Sequence, residues 1–231
     1  MTSHRKAQLA AHPAIDGAET LTAAARKVLA EAIVSGHLKP GAKLGVRELA
    51  IEFGFGPTPL REALTGLTSQ GLVTFAEQRG FRVADVSRED LLDLVATRNV
   101  VECGALRIAI AEGDVEWEAG VVAALHRMKS LLTNFPPPGP EASHLYESVN
   151  ESFHFSLIAT RRPGRMAKIY FELFEQTRRY RTLMLEQHQM TLASYEAHRV
   201  LAETCLARDV ERACALLVEH NMMVFKLIYG D

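Results

Sequence analysis

The stretch from Ser87 to Asp231 holds no convincing alternation of apolar and polar side chains, only long runs with helical spacing. A chain that cannot make strands there must build its core by packing helices. Helices are expected near 87–112, 114–134, 143–160, 164–188, 191–207 and 209–229, with Ser87, Asp114, Ser143 and Asp209 placed to cap them. One rigid break interrupts the series. It is FPPPGPEAS (135–143), because consecutive prolines cannot continue a helix and favour an extended connection. Six helices of this length can enclose a core with a central cavity.

The first part of the chain has a different texture. Residues 1–19 read as a flexible tail. Thr20 to Ser35 reads as a helix with Leu21, Ala25, Val28, Leu29, Ala32 and Ile33 on one face and Gly36 beyond its end. HLKPGAKL is a turn, and Val46 to Phe53 a short second helix closed by Gly54 in the left-handed conformation. A third helix from about Thr58 buries Leu60, Ala63, Leu64 and Leu67. LVTF and FRVADV then flank AEQRG as a hairpin with Gly80 near its tip. Three short helices and a hairpin make a winged helix-turn-helix over residues 20–85, followed by an all-α six-helix bundle over 86–231.

The third helix carries the first functional signal. With its apolar residues inside, its opposite face shows Thr58, Arg61 and Thr65, a polar face with one arginine leading it. That arrangement suits insertion into a DNA major groove. Thr58 can cap the helix's first amides or offer its hydroxyl to a phosphate. An ordinary amphipathic helix with a solvated arginine fits the face alone; the short helix before it and the hairpin after it favour DNA. Net charge, −2 overall, argues neither way.

The second signal lies in the helical part. Asn150 and His154 are four residues apart, hence on one helix face. His198 and His220 flank a turn at about Arg208-Asp209, ten residues before it and eleven after. Both then sit about 15–16 Å from that turn, and an antiparallel pair brings them level. Three imidazoles and one oxygen make a reasonable transition-metal shell. On spacing alone, three unrelated core or surface histidines remain an open alternative. Arg98, one turn before Glu102, could face such a metal and hold a small carboxylate. It could equally form a helix-surface pair with Glu102. Arg107 on the same helix is the weaker candidate.

Taken together, LAEAIVSGHLKPGAKLGVRELAIEFGFGPTPLREALTGLTSQGLV resembles the N-terminal domain of the GntR family of bacterial transcription regulators. The helical remainder resembles the FadR-type effector domain of that family, the FCD domain, so the resemblance covers about residues 20 to 229. It implies that Arg47 and Arg61 contact operator DNA, Thr58 a phosphate, and Arg79 and Gly80 at the wing tip the minor groove. It also implies an effector-lining role for Arg98 and a divalent metal, Zn, Ni or Mn, held by an Asp and three His. Here Asn150 stands in the Asp position, beside His154, His198 and His220. Glu147 and Glu151 are poor substitutes, one being two turns from His154 and the other on a different face.

A second departure concerns DNA. Where the family commonly reads Ser-Arg before Thr-Pro, this chain has Gly56-Pro57, and proline cannot make the arginine's base contact. The family's operator preference therefore does not carry over.

The expected function is effector-controlled binding to a pseudo-palindromic double-stranded operator by a cytoplasmic homodimer. The three cysteines form no CxxC pair, and neither a secretory signal nor a membrane span is evident. Two alternatives stand beside it. A metal-dependent enzyme could use the histidines to activate water, but HExxH, a nucleophile elbow and a carboxylate beside the histidines are all missing. The other is a DNA-binding protein with an empty regulatory domain.

Overall fold

The computed structural model describes residues 20–134, 136, 139–159, 164–187, 190 and 192–230. The tail expected over 1–19 lies outside the described residues. The chain forms two compact units. Among the described residues, one comprises those up to Ala32 with Gly41–Ala84, the other Ile33–Pro40 with those from Asp85 onward.

The first unit contains most of α1 (Leu21–Val34), then α2 (Val46–Phe53), α3 (Pro57–Ser69), β1 (Val73–Ala76) and β2 (Gly80–Val83). Gly54 closes α2 at φ 74°, ψ 9°, where a side chain would be strained, and turns the chain toward α3. Phe55, 4 % exposed, pins that turn into the core. Along α3 the buried residues are Leu60, Ala63, Leu64 and Leu67, as the spacing requires. Leu21, expected on the inner face of α1, is instead 54 % exposed, since it is the helix's first residue. The antiparallel hairpin pairs Val73 with Val83 and Ala76 with Gly80. Phe75 and Phe81 pair across it, with ring centroids 4.9 Å apart. Leu44 N–H also donates to the Phe81 carbonyl and Val83 N–H to that of Ala42, which gives β2 a partner on its other edge.

The second unit is six helices: α4 (Arg88–Glu112), α5 (Val115–Thr133), α6 (Pro140–Ile158), α7 (Arg165–Gln187), α8 (Leu192–Leu206) and α9 (Val210–Tyr229). Ser87, Asp114 and Asp209 cap α4, α5 and α9, accepting from the amides of Asp90, Trp117 and Arg212. Ser143 does not cap α6, which begins earlier, at Pro140 with Gly139 as its N-cap. Proline is tolerated at the first helical position, where its missing N–H would have no intrahelical partner. The break is therefore shorter than expected. α4 packs against α7 and α9, and α5 against α6 and α8. Arg208, at φ 63°, turns the chain from α8 to α9 and donates to the carbonyls of Ile110 and Gly113 at the end of α4. No helix among the described residues is long and apolar enough to cross a membrane.

Candidate functional site

Two surfaces emerge, one in each unit. In the first, Thr58, Arg61 and Thr65 all lie exposed on α3, opposite its buried leucines. Thr65 bonds back to the Arg61 carbonyl at 2.9 Å, which leaves the Arg61 guanidinium as the prominent donor of that face. Arg47 on α2 is exposed too, as is Arg79 in the hairpin turn beside Gly80, whose φ is 73°. Thr58 does not cap α3. Gly56 is the N-cap, without a side-chain cap bond, and Pro57 takes the first helical position. Thr58 thus sits two residues past the cap position.

In the second unit, a cavity of about 350 Å³ is lined by Arg98, Asn150, His154, Arg181, His198 and His220 among others. The antiparallel turn of α8 into α9 does level the two distant histidines, with ring centroids 4.4 Å apart. His154 on α6 completes the group, its Nε2 3.1 Å from that of His220. One possible ligand atom from each of the three lies within 4.8 Å of the others. Two nitrogens ligating one ion at the usual ~2.0–2.1 Å would stand roughly 3.0–3.4 Å apart, so the His154–His220 spacing fits a shared ion. His198 Nδ1 faces the Ser194 carbonyl at 2.7 Å; donating there keeps its Nε2 unprotonated. That Nε2, His220 Nδ1 and Asn150 Oδ1 are buried without a hydrogen-bond partner. An ion would satisfy His198 Nε2 and Asn150 Oδ1, and the donor set fits one; His220, engaged through its Nε2, would not offer its Nδ1 to the same ion.

Electrostatics agree with neutral ligands. Burial pushes the His154 and His220 imidazoles well below their ordinary range, reinforced by the neighbouring histidines and by the Arg98 and Arg181 charges. Burial lowers His198 to about 4, against a smaller opposing effect of its bond to Ser194. At neutral pH all three are uncharged, the form a metal binds.

Arg98 lines the cavity and also pairs with Glu102, Nε to Oε1 at 2.7 Å. The pair is not on the surface, however. Arg98 and Glu102 are each 2 % exposed, and Asn221 of α9 joins them, accepting from Arg98 Nη2 and donating to Glu102. Arg107 is displaced from candidacy because it points outward and pairs with Glu211. Glu147 fails as a metal ligand for a reason the spacing did not show. It is held by Arg181, with bonds of 2.9, 3.1 and 2.7 Å. Arg181 is the residue sequence reasoning missed. It stacks on Phe174 at 4.0 Å, with Arg98 against the same ring at 5.5 Å. An arginine inside α7, in a helix whose ends were all that the sequence marked, carried no local signal of burial.

Comparison with known proteins gives a consistent picture. Residues 21–83 match the bacterial regulatory proteins of the gntR family, and residues 93–222 match the FCD domain. The chain is 35 % identical over 188 residues to the HTH-type transcriptional regulator BphR of Paraburkholderia xenovorans (strain LB400), itself uncharacterized, covering 81 % of this chain and 77 % of that one. It is 30 % identical over 207 residues to the HTH-type transcriptional repressor GlaR of Escherichia coli (strain K12), covering 85 % and 90 %. Among solved structures, E. coli McbR/YncC shares the fold with a TM-score of 0.75 at 22 % identity, over 91 % of this chain and 98 % of that one.

Proposed function

Since this chain belongs to the GntR family of bacterial transcription regulators and carries an FCD domain, we propose that a small carboxylate, bound beside a divalent transition metal in the cavity of the helical unit, sets its affinity for operator DNA. The reading rests above all on one observation. Three imidazoles, two buried and His220 half-buried, an unpartnered Asn150 oxygen and two buried arginines converge on the same cavity. His154, His198, His220 and Asn150 would hold the ion, which would supply a positive centre for the carboxylate. Arg98 engages neighbours through Nε and Nη2, and its remaining nitrogen would meet the other carboxylate oxygen.

At the DNA, Arg61 would read base edges from α3, Thr58 and Thr65 would flank it, Arg47 would contact the duplex from α2, and Arg79 with Gly80 would reach the minor groove. One such helix reads few bases. The protein would therefore act as a two-fold dimer, in the cytoplasm, on a pseudo-palindromic site. Relatives that are transcription regulators make the enzyme reading untenable.

The test is direct. Purified protein is titrated with Zn²⁺, Ni²⁺ or Mn²⁺, and operator affinity is then measured with and without small carboxylates at fixed salt. Metal uptake together with a carboxylate-dependent shift supports the reading. DNA binding without metal uptake or carboxylate response identifies the regulatory domain as empty.

A further inference from the structure

The cavity lining is not uniform along its length. His154, His198 and His220 gather at one end through their ring contacts, with the Arg98–Asn221 pair and Asn150 in the same lining. On α9 the cavity residues beyond His220 and Asn221 are Met223, Val224 and Leu227. The seven residues from His220 to Leu227 span about 10 Å. On the α8 side the lining runs the opposite way in sequence, from His198 back through Ser194 to Met190. Because α8 and α9 are antiparallel, both series recede from the histidines in the same direction. Met184, one turn past Arg181 on α7, adds a third methionine.

Away from the histidines, the lining offers two hydroxyls, Ser194 and Tyr146; the Arg181 charge, which acts on His154 and His220, is already held by Glu147. Met184, Met190 and Val224 are buried. A ligand hydroxyl or second carboxylate there would lose water and find no charged partner, which is costly. Methionine walls instead accommodate apolar bodies of varied shape.

We infer that the cavity takes an amphipathic carboxylate, its anionic head at the histidine end and an alkyl or aryl body lying along α9 toward Leu227. This inference rests on the proposed reading of the cavity as the effector site. It adds an apolar subsite formed by Met184, Met190, Met223, Val224 and Leu227. Compact hydroxy acids and polycarboxylates are the wrong class for it.

The experiment uses the full chain loaded with Zn²⁺ and calorimetric titration with acetate, butanoate, hexanoate, octanoate and 3-phenylpropanoate, with succinate and citrate as polar controls. Affinity should rise about fourfold per added methylene until the body spans the subsite. Met223→Gln, at a position 44 % exposed and so safe for folding, should weaken octanoate by about fivefold and leave acetate unchanged. A flat series, citrate or succinate binding more tightly than octanoate, or an unaltered octanoate affinity in the Met223 variant would overturn the apolar subsite. If no anion binds the metal-loaded protein, acetate included, the effector-site reading itself fails and the subsite falls with it.

Discussion

Asn150→Asp tests the charge balance of the cavity, and the sign of its effect should depend on metal. Asn150 is 3 % exposed, and its Oδ1 has no partner. The two guanidiniums nearby are paired with Glu102 and Glu147, and burial keeps the imidazoles neutral. A divalent ion therefore arrives in a site with no negative charge of its own to spare. A carboxylate at position 150, roughly 4 Å from a charge of two at an effective dielectric of about 20, gains about 8 kcal/mol. Removing it from water costs several kcal/mol. The surplus is about 3 kcal/mol, or roughly 10²-fold in metal affinity. In the chelated protein the same carboxylate is buried without an unengaged cation, so the variant should melt several degrees below wild type with EDTA and above it with Zn²⁺. Competition against a chromophoric chelator at pH 7, with thermal melts in both states, reads both effects. Wild-type Zn²⁺ affinity should also rise with added carboxylate, and that coupling should shrink in the variant, since each ligand changes the other's affinity by one common factor. Equal Zn²⁺ affinities in the two proteins, or higher EDTA melts for the variant, would refute the charge argument. If neither protein binds Zn²⁺, Ni²⁺ or Mn²⁺ with or without carboxylate, the histidines are hydrogen-bonding groups of a metal-free pocket.

Three further outcomes are expected. Arg61→Ala should abolish specific operator binding while leaving the circular dichroism spectrum and melting temperature unchanged, because Arg61 lies on the exposed face of α3; unaltered affinity in a mobility-shift assay at fixed salt would remove the recognition role. Light scattering at micromolar concentration should give a dimer that needs both halves of an inverted repeat, and a monomer bound to one half-site would contradict this. Metal-free protein should lose stability as pH falls from about 6.5 toward 4: the lowered His198 value means the unfolded chain binds the proton first, so this contribution is intact above that window and is lost through it. The loss from His198 alone is on the order of 3 kcal/mol, and a flat pH–stability profile across that range would show that the imidazole is not buried as described.

What could be read from the sequence follows from the range of the forces involved. The inner face of α3 was legible because four apolar residues repeat at helical spacing, and the caps at Ser87, Asp114 and Asp209 because capping is a contact across three residues. The levelling of His198 with His220 was legible since a short turn and a fixed rise per residue determine it. Longer-range pairing was not. Nothing near Glu147 announces that Arg181, 34 residues away, neutralises it, or that Asn221 reaches back to Glu102 and Arg98 on α4. Ser143 misled because a serine before a helical run normally marks its start, whereas Pro140 begins α6 a turn earlier. Arg107 misled because helical spacing places a side chain on a face without saying what covers that face.

Those long-range pairs also bear on how a ligand at the histidine end of the cavity would act. Arg98 with Glu102 and Arg181 with Glu147 are each paired, so neither guanidinium is an unengaged counter-charge for an anion, although both still act on the imidazoles. The charge that would change is that of a bound ion and of whatever joins it. Asn221 holds two members of one pair from α9 and also donates to Asn99 on α4. A carboxylate that took a nitrogen of Arg98 would have to compete with or extend this network, and the competition would be felt at the α4–α9 contact. A neutral ligand of the same shape has no such leverage, since it gains no more from one arrangement of the arginine than from the other. A carboxylate effector's charge would therefore supply the differential free energy that a regulatory response requires, while an apolar body would contribute affinity alike in both arrangements. On this reading, esterifying a carboxylate that binds should cost the response before it costs all of the binding.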